Sequence, residues 1–196
     1  DPDDPPPGIE AGYRFARQTA TGFVQCFDRG EVQRGALRGQ GLEIAWVADP
    51  VDAFFIHVQG AARLRLEDGG EMRVTYAAKS GHPYTAIGRE LVAMGALPKG
   101  GATMQAIRAW AAAHPDETPD LLARNRSFIF FREAPVADPA LGPVAAAKVP
   151  LTAGRSLAVD RLIHSFGAPV YVEATLPDGT SWQRLMVAQA TGSAIV

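Results

Sequence analysis

The sequence predicts a mainly β protein that carries several helices. Three observations support this. The stretch "AARLRLEDGGEMRVTYAAK" alternates on both sides of Asp68-Gly69-Gly70, the pattern of two strands joined by a tight turn. Three helical patterns follow one another over 84–125. From Arg155 onward the chain reads as strand, broken by turn signals such as Pro177-Asp178-Gly179.

The elements follow in order. The start, "DPDDPPPGIEAG", is acidic and proline-rich and is expected to be irregular over 1–11. "YRFARQTATGFVQCF" reads as two short strands around a Thr-Gly turn. Asp28 is placed to cap a short helix in "DRGEVQRGAL". "LEIAWVA" is expected as a strand. "DPVDAFFIHV" reads better as helix than strand, because Asp49 and Pro50 make a cap and a first-turn proline. After the hairpin, "YTAIGRELVAMG" places Ile87, Leu91 and Met94 on one stripe and stops at Gly95. Thr103 caps "TMQAIRAWAAAH", and "TPDLLARN" is the third helical pattern. "SFIFFRE" reads as a buried strand. "APVADPALGPVAAAKVP" is a linker and a natural junction, followed by the strands "RSLAVD", "PVYVEATL" and "QRLMVAQA".

The chain has 196 residues, 47% hydrophobic and 20% charged, enough to bury a core. Its net charge of −2 supplies no basic field for nucleic acid or anionic lipid. Cys26, the lone cysteine, excludes an internal disulfide and any multi-cysteine metal site. His57, His82, His114 and His164 stand singly, so no metal is expected. There is no nucleophile elbow or Walker loop, and no cofactor is expected.

"KSGHPYTAIG", from Lys79 to Gly88, is the most informative segment. It reads either as a connector with caps, Thr85 helping to cap the helix, or as a sugar-binding edge. On the second reading Tyr84 offers a ring face and a hydroxyl, and Lys79, Ser80 and His82 offer hydrogen bonds beside Gly81. Gln59, between apolar runs, is expected to be partly buried and hydrogen-bonded to backbone or ligand. Gln105 could act similarly at a helix start. Asp160 ends an apolar strand; it either pairs with Arg155 or Arg161, or faces a cleft with a raised pKa.

In order and spacing, "DPVDAFFIHVQGAARLRL", "YAAKSGHPYTAIG", "TMQAIRAW", "NRSFIFF", "VPLTAGRSLAVDRLI" and "RLMVAQATGSAI" resemble the membrane-bound lytic transglycosylase A family. The resemblance runs from about Arg29 to Val196. It implies part of a double-psi β-barrel with an inserted all-β, barrel-like domain, the insert over 12–142 and an incomplete barrel over 143–196. The implied substrate is the glycan strand of bacterial peptidoglycan, in the periplasm and anchored at the outer membrane, with other cell-wall enzymes as further partners. The implied reaction cleaves the β-1,4 bond between N-acetylmuramic acid and N-acetylglucosamine and forms a 1,6-anhydro product. The substrate-binding residues would be Gln59, Ser80, Gly81, His82, Tyr84, Gln105, Thr191 and Gly192. The family motif Ala-Gln-Asp-Thr-Gly-Gly stands here as Ala188-Gln189-Ala190-Thr191-Gly192-Ser193. The family's catalytic aspartate is expected beyond Val196, so the chain itself is expected to lack catalysis; Asp160 is the candidate carboxylate within it but is not expected to replace that acid. The alternative is a non-catalytic peptidoglycan- or protein-binding module.

Overall fold

The computed structural model describes residues 7, 9, 13, 15–192 and 195, so the stretch expected to be irregular over 1–11 lies largely outside the described residues. β1 (Ala16–Thr19) and β2 (Gly22–Gln25) pair antiparallel, and the Thr19 hydroxyl donates to the Gly22 carbonyl across the turn. α1 (Arg29–Gln33) starts with a complete capping box: Asp28 accepts from the Glu31 amide, and Glu31 accepts from the Asp28 amide. α2 (Pro50–Gln59) starts with the Asp49 carboxylate on the Val51 amide, then a first-turn proline. It stops at Gly60, whose φ of 75° is the left-handed conformation glycine adopts without strain.

β3 (Ala61–Arg65) and β4 (Glu71–Lys79) form the expected hairpin, with Arg65 opposite Glu71 and Asp68 accepting from the Gly70 amide in the turn. α3 (Ile87–Ala93), α4 (Met104–Ala113) and α5 (Thr118–Ala123) follow, then β5 (Ile129–Glu133), which joins β4. The last elements are β6 (Ser156–Ala158), β7 (Pro169–Thr175) and β8 (Ser181–Ala190). β8 is the centre of this sheet, parallel to β6 and antiparallel to β7.

Two compact units result. One comprises residues 1–60 and 76–131, the other 61–75 and 132–196. The first has a helical core: Val51 and Phe54 from α2, Ile87 and Leu91 from α3, Ile107, Trp110 and Ala111 from α4, Leu121 and Leu122 from α5. Phe54 and Leu91 are fully buried, so truncating either to alanine costs about 3–5 kcal/mol. In the second unit Met186 and Ala188 of β8 and Val159 after β6 are buried. Arg73, also buried, donates to the carbonyls of Pro139 and Leu141, which fixes the linker on β4.

The structure corrects several expectations. The all-β description of the insert does not hold, because all five described helices lie in the first unit, where the sequence itself reads helical patterns over 84–125. The described sheets have two, three and three strands, and none of them closes into a barrel. "LEIAWVA" makes no strand, because a strand needs a ladder partner and none of the described strands pairs with it. Its Leu42, Ile44, Trp46 and Val47 are exposed. Met94 is not on the buried stripe; it caps the C-terminus of α3 and faces solvent. Thr85 does not cap α3, whose N-cap is Ala86 with no side-chain bond. The "SFIFFRE" strand is half-buried.

Candidate functional site

The connector between β4 and α3 is pinned residue by residue. Ser80 is fully buried; its amide donates to the Phe128 carbonyl at 2.9 Å and its hydroxyl accepts from the Phe128 amide at 3.1 Å. Gly81 has φ of 87°, and a Cβ there would lie 3.3 Å from the Phe15 side chain, so both backbone and space call for glycine. His82 is buried, with Nε2 2.6 Å from the Cys26 carbonyl and Nδ1 3.2 Å from the Tyr13 hydroxyl. A carbonyl only accepts, so the proton is assigned to Nε2, and Nδ1 accepts from Tyr13. The Thr85 amide donates to Asn125 Oδ1 at 3.1 Å. What remains outward is Pro83 and the Tyr84 ring, which is 49% exposed. The Lys79 ammonium is exposed and lies 5.9 Å from the Phe15 ring centre.

Beneath this loop is a buried cation. Arg29 is 4% exposed, sits over the rings of Phe54 and Phe128, and donates from Nε to the Asn125 carbonyl and from Nη2 to the Ser127 carbonyl. Burial lowers its pKa to about 10, opposed by the favourable field of the Tyr84 side chain. Neighbouring His57 has a pKa pushed down to about 3, first by burial and then by the Arg29 charge. It is therefore neutral, and its Nδ1 accepts from the Ile129 amide at 3.2 Å between the rings of Phe128 and Phe131.

The structure thus brings Ser80, Gly81, His82 and Tyr84 together on one loop. It gives them unequal roles: Ser80 and His82 spend their polar atoms internally, and Tyr84 is presented. Gln59 is not partly buried as expected; it is the last residue of α2, on the exposed side just before the Gly60 reversal. Gln105 is exposed in the first turn of α4. Arg29, Asn125 and Tyr13 were missed by sequence reasoning. Arg29 alone gave a signal: a cation at the first position of a helix opposes the positive end of the helix dipole, so its role must lie elsewhere.

Asp160, Thr191 and Gly192 belong to the second unit. The Val159 amide donates to the Ala190 carbonyl at 2.9 Å, beside the parallel Ala158–Ala190 pairing. The Asp160 carboxylate accepts from the Leu162 amide at 2.8 Å, and its carbonyl accepts from the amides of Ile163 and His164. Neither expected arginine forms an ion pair with it among the described residues: Arg155 donates to the Leu185 carbonyl and Arg161 lies over the Phe166 ring. Thr191 is half-buried and Gly192 exposed at the end of β8.

Residues 4–132 match the model of the MltA specific insert domain, and residues 155–196 match that of the 3D domain. Membrane-bound lytic murein transglycosylase A of Vibrio cholerae is 34% identical over 179 residues, 87% of this chain and 47% of that protein. The protein of the same name from Escherichia coli is 37% identical over 175 residues, 85% of this chain and 47% of its own length. The chain thus spans about half the length of these relatives. Among solved structures, a membrane-bound lytic murein transglycosylase from Agrobacterium tumefaciens superposes with a TM-score of 0.86 at 53% identity, covering 100% of this chain and 55% of that one. E. coli MltA with bound chitohexaose superposes with a TM-score of 0.78 at 33% identity, covering 92% of this chain and 58% of that one.

Fold and matches together define a chain of MltA architecture, an insert domain followed by a 3D domain. It belongs to the membrane-bound lytic murein transglycosylase A (MltA) family.

Proposed function

We propose that this chain holds a peptidoglycan glycan strand as part of a lytic transglycosylase. The supporting observation is the pinned 80–86 loop presenting Tyr84, in a chain 33% identical to a protein whose solved structure holds chitohexaose. A rigid aromatic face with a hydroxyl suits a pyranose ring, whose C–H face is apolar and whose edge is polar. Gln59, Gln105, Gly81, Thr191 and Gly192 are the further residues assigned to sugar binding. Residues 12–142 are assigned to the insert and 143–196 to one part of a double-psi barrel, whose described strands form an open three-stranded sheet.

In the proposed reaction one aspartate protonates the oxygen between N-acetylmuramic acid and N-acetylglucosamine. As base it then takes the proton of the muramyl C6 hydroxyl, which attacks C1 and closes the 1,6-anhydro ring. One carboxylate suffices because the nucleophile belongs to the same sugar, whereas hydrolytic glycosidases use two. Asp160 is a poor fit for this acid, since its carboxylate closes its own turn on the Leu162 amide. The site of action is the cell envelope, on the periplasmic face of the outer membrane, where other cell-wall enzymes are the expected partners. Among the described residues no helix is long and apolar enough to cross a membrane.

Ala190, standing where the resemblance implies aspartate, favours a second reading: a binding module without catalysis. Calorimetric titration with chitohexaose tests what the two share. Binding that weakens about tenfold in Tyr84→Ala supports it, the scale expected for losing one aromatic anchor. A chain that does not bind chitohexaose refutes it.

A further inference from the structure

We infer that Asn125 is a positioning residue that sets the orientation of Tyr84 for the sugar ring; the inference rests on the function proposed above. Asn125 lies between α5 and β5, and its side chain is among the most completely buried in the described chain. Its Oδ1 gathers two backbone amides, Thr85 at 3.1 Å and Ser127 at 3.2 Å. The Thr85 bond ties a loop 40 residues away in sequence, and Thr85 directly follows Tyr84.

The Asn125 backbone is itself held. Arg29 Nε donates to its carbonyl at 3.1 Å, Arg29 Nη2 to the Ser127 carbonyl at 2.9 Å, and the Arg29 amide to the Arg126 carbonyl at 3.0 Å. Arg29 therefore holds the 125–127 segment by its buried guanidinium and its backbone amide together. That segment and Phe128 supply both ends of the loop with anchors: Phe128 grips Ser80, and Asn125 grips Thr85. Tyr84 lies between the anchors, directly before the Thr85 anchor in sequence. With that anchor removed, the Ser80 anchor stays while the Tyr84 end samples more conformations. A ligand must then order that end on binding, at an entropic cost.

The distinction from a simple packing role is that Asn125 acts through Tyr84. A double-mutant cycle reads this directly. Chitohexaose is titrated calorimetrically into the chain and its Asn125→Ala, Asn125→Asp, Tyr84→Ala and Asn125→Ala/Tyr84→Ala variants. Asn125→Ala is expected to weaken binding about tenfold beside Tyr84 and to have no further effect in Tyr84→Ala. Asn125→Asp keeps an oxygen acceptor for both amides and is expected to return affinity to within about threefold of the original. An equal loss in both backgrounds, or no loss beside Tyr84, overturns the positioning role and leaves glycan binding intact. Failure of the unsubstituted chain to bind chitohexaose overturns the proposed function, and this inference with it. Should Asn125→Ala not fold, amide exchange of the unsubstituted chain decides. A Thr85 amide as protected as that of Ser127 supports the anchor, and an unprotected one overturns it.

Discussion

Ser80 and Phe128 hold each other by two hydrogen bonds running in opposite directions, amide to carbonyl and amide to hydroxyl. This makes a serine hydroxyl part of the backbone ladder where β4 gives way to the loop. Ser80→Ala leaves the part-buried Phe128 amide without that acceptor, and it should lower unfolding free energy by about 1–3 kcal/mol. Urea denaturation measures it. A loss within experimental error would mean that water reaches the Phe128 amide.

Gly81→Ala should be more costly than an ordinary loop substitution. It combines a left-handed backbone with a methyl 3.3 Å from Phe15, and strain of this kind costs about 1–3 kcal/mol. Because the strain falls beside Tyr84, chitohexaose affinity should fall as well. Unchanged stability and affinity would show that the loop relaxes freely, contrary to its bonding.

The stability of the first unit should depend on pH through His57. Its folded pKa of about 3 lies below the ordinary 6.5, so as pH falls the unfolded chain takes up the proton first. The contribution is complete above about pH 6.5 and is lost as pH falls towards about 3, at about 1.4 kcal/mol per unit. Chemical denaturation at a series of pH values should show this slope. In His57→Gln it should be shallower by one proton, and an identical slope would exclude His57 as its source.

Asp160→Asn should leave stability nearly unchanged, because an amide oxygen can accept from Leu162 as the carboxylate does. We predict that the chain releases no 1,6-anhydromuropeptides from sacculi with either residue. Product released by the chain and abolished by Asp160→Asn would identify Asp160 as the acid.

Local chemistry was legible in the sequence wherever one residue acts on its chain neighbours. Asp28, Asp49 and Thr103 cap their helices and Asp68 closes its turn, as expected. Family membership was legible too, because six separated motifs kept their order. Reasoning failed where a distant segment decides. "LEIAWVA" has strand composition, but pairing depends on a partner the pattern cannot reveal. Gln59 looked buried because its neighbours are apolar, yet one helical step turns it outward. Asn125 gave no clue, and Arg29 no more than its misfit at a helix start, since the distant groups they hydrogen-bond are backbone groups of other segments, which carry no sequence signature.

Trp46 stands 87% exposed on the unpaired 42–48 stretch, whereas Trp110 is buried and stacked on His114. The two indoles therefore differ in optical environment. Trp46 should emit at long wavelength and be quenched readily by acrylamide, while Trp110 should emit further to the blue and be shielded. Unfolding of the helical core would move mainly the Trp110 emission, giving an intrinsic fluorescence signal for the first unit against a background from Trp46 and from Trp182, which stands on β8 of the second unit; Trp182→Phe removes that second contribution.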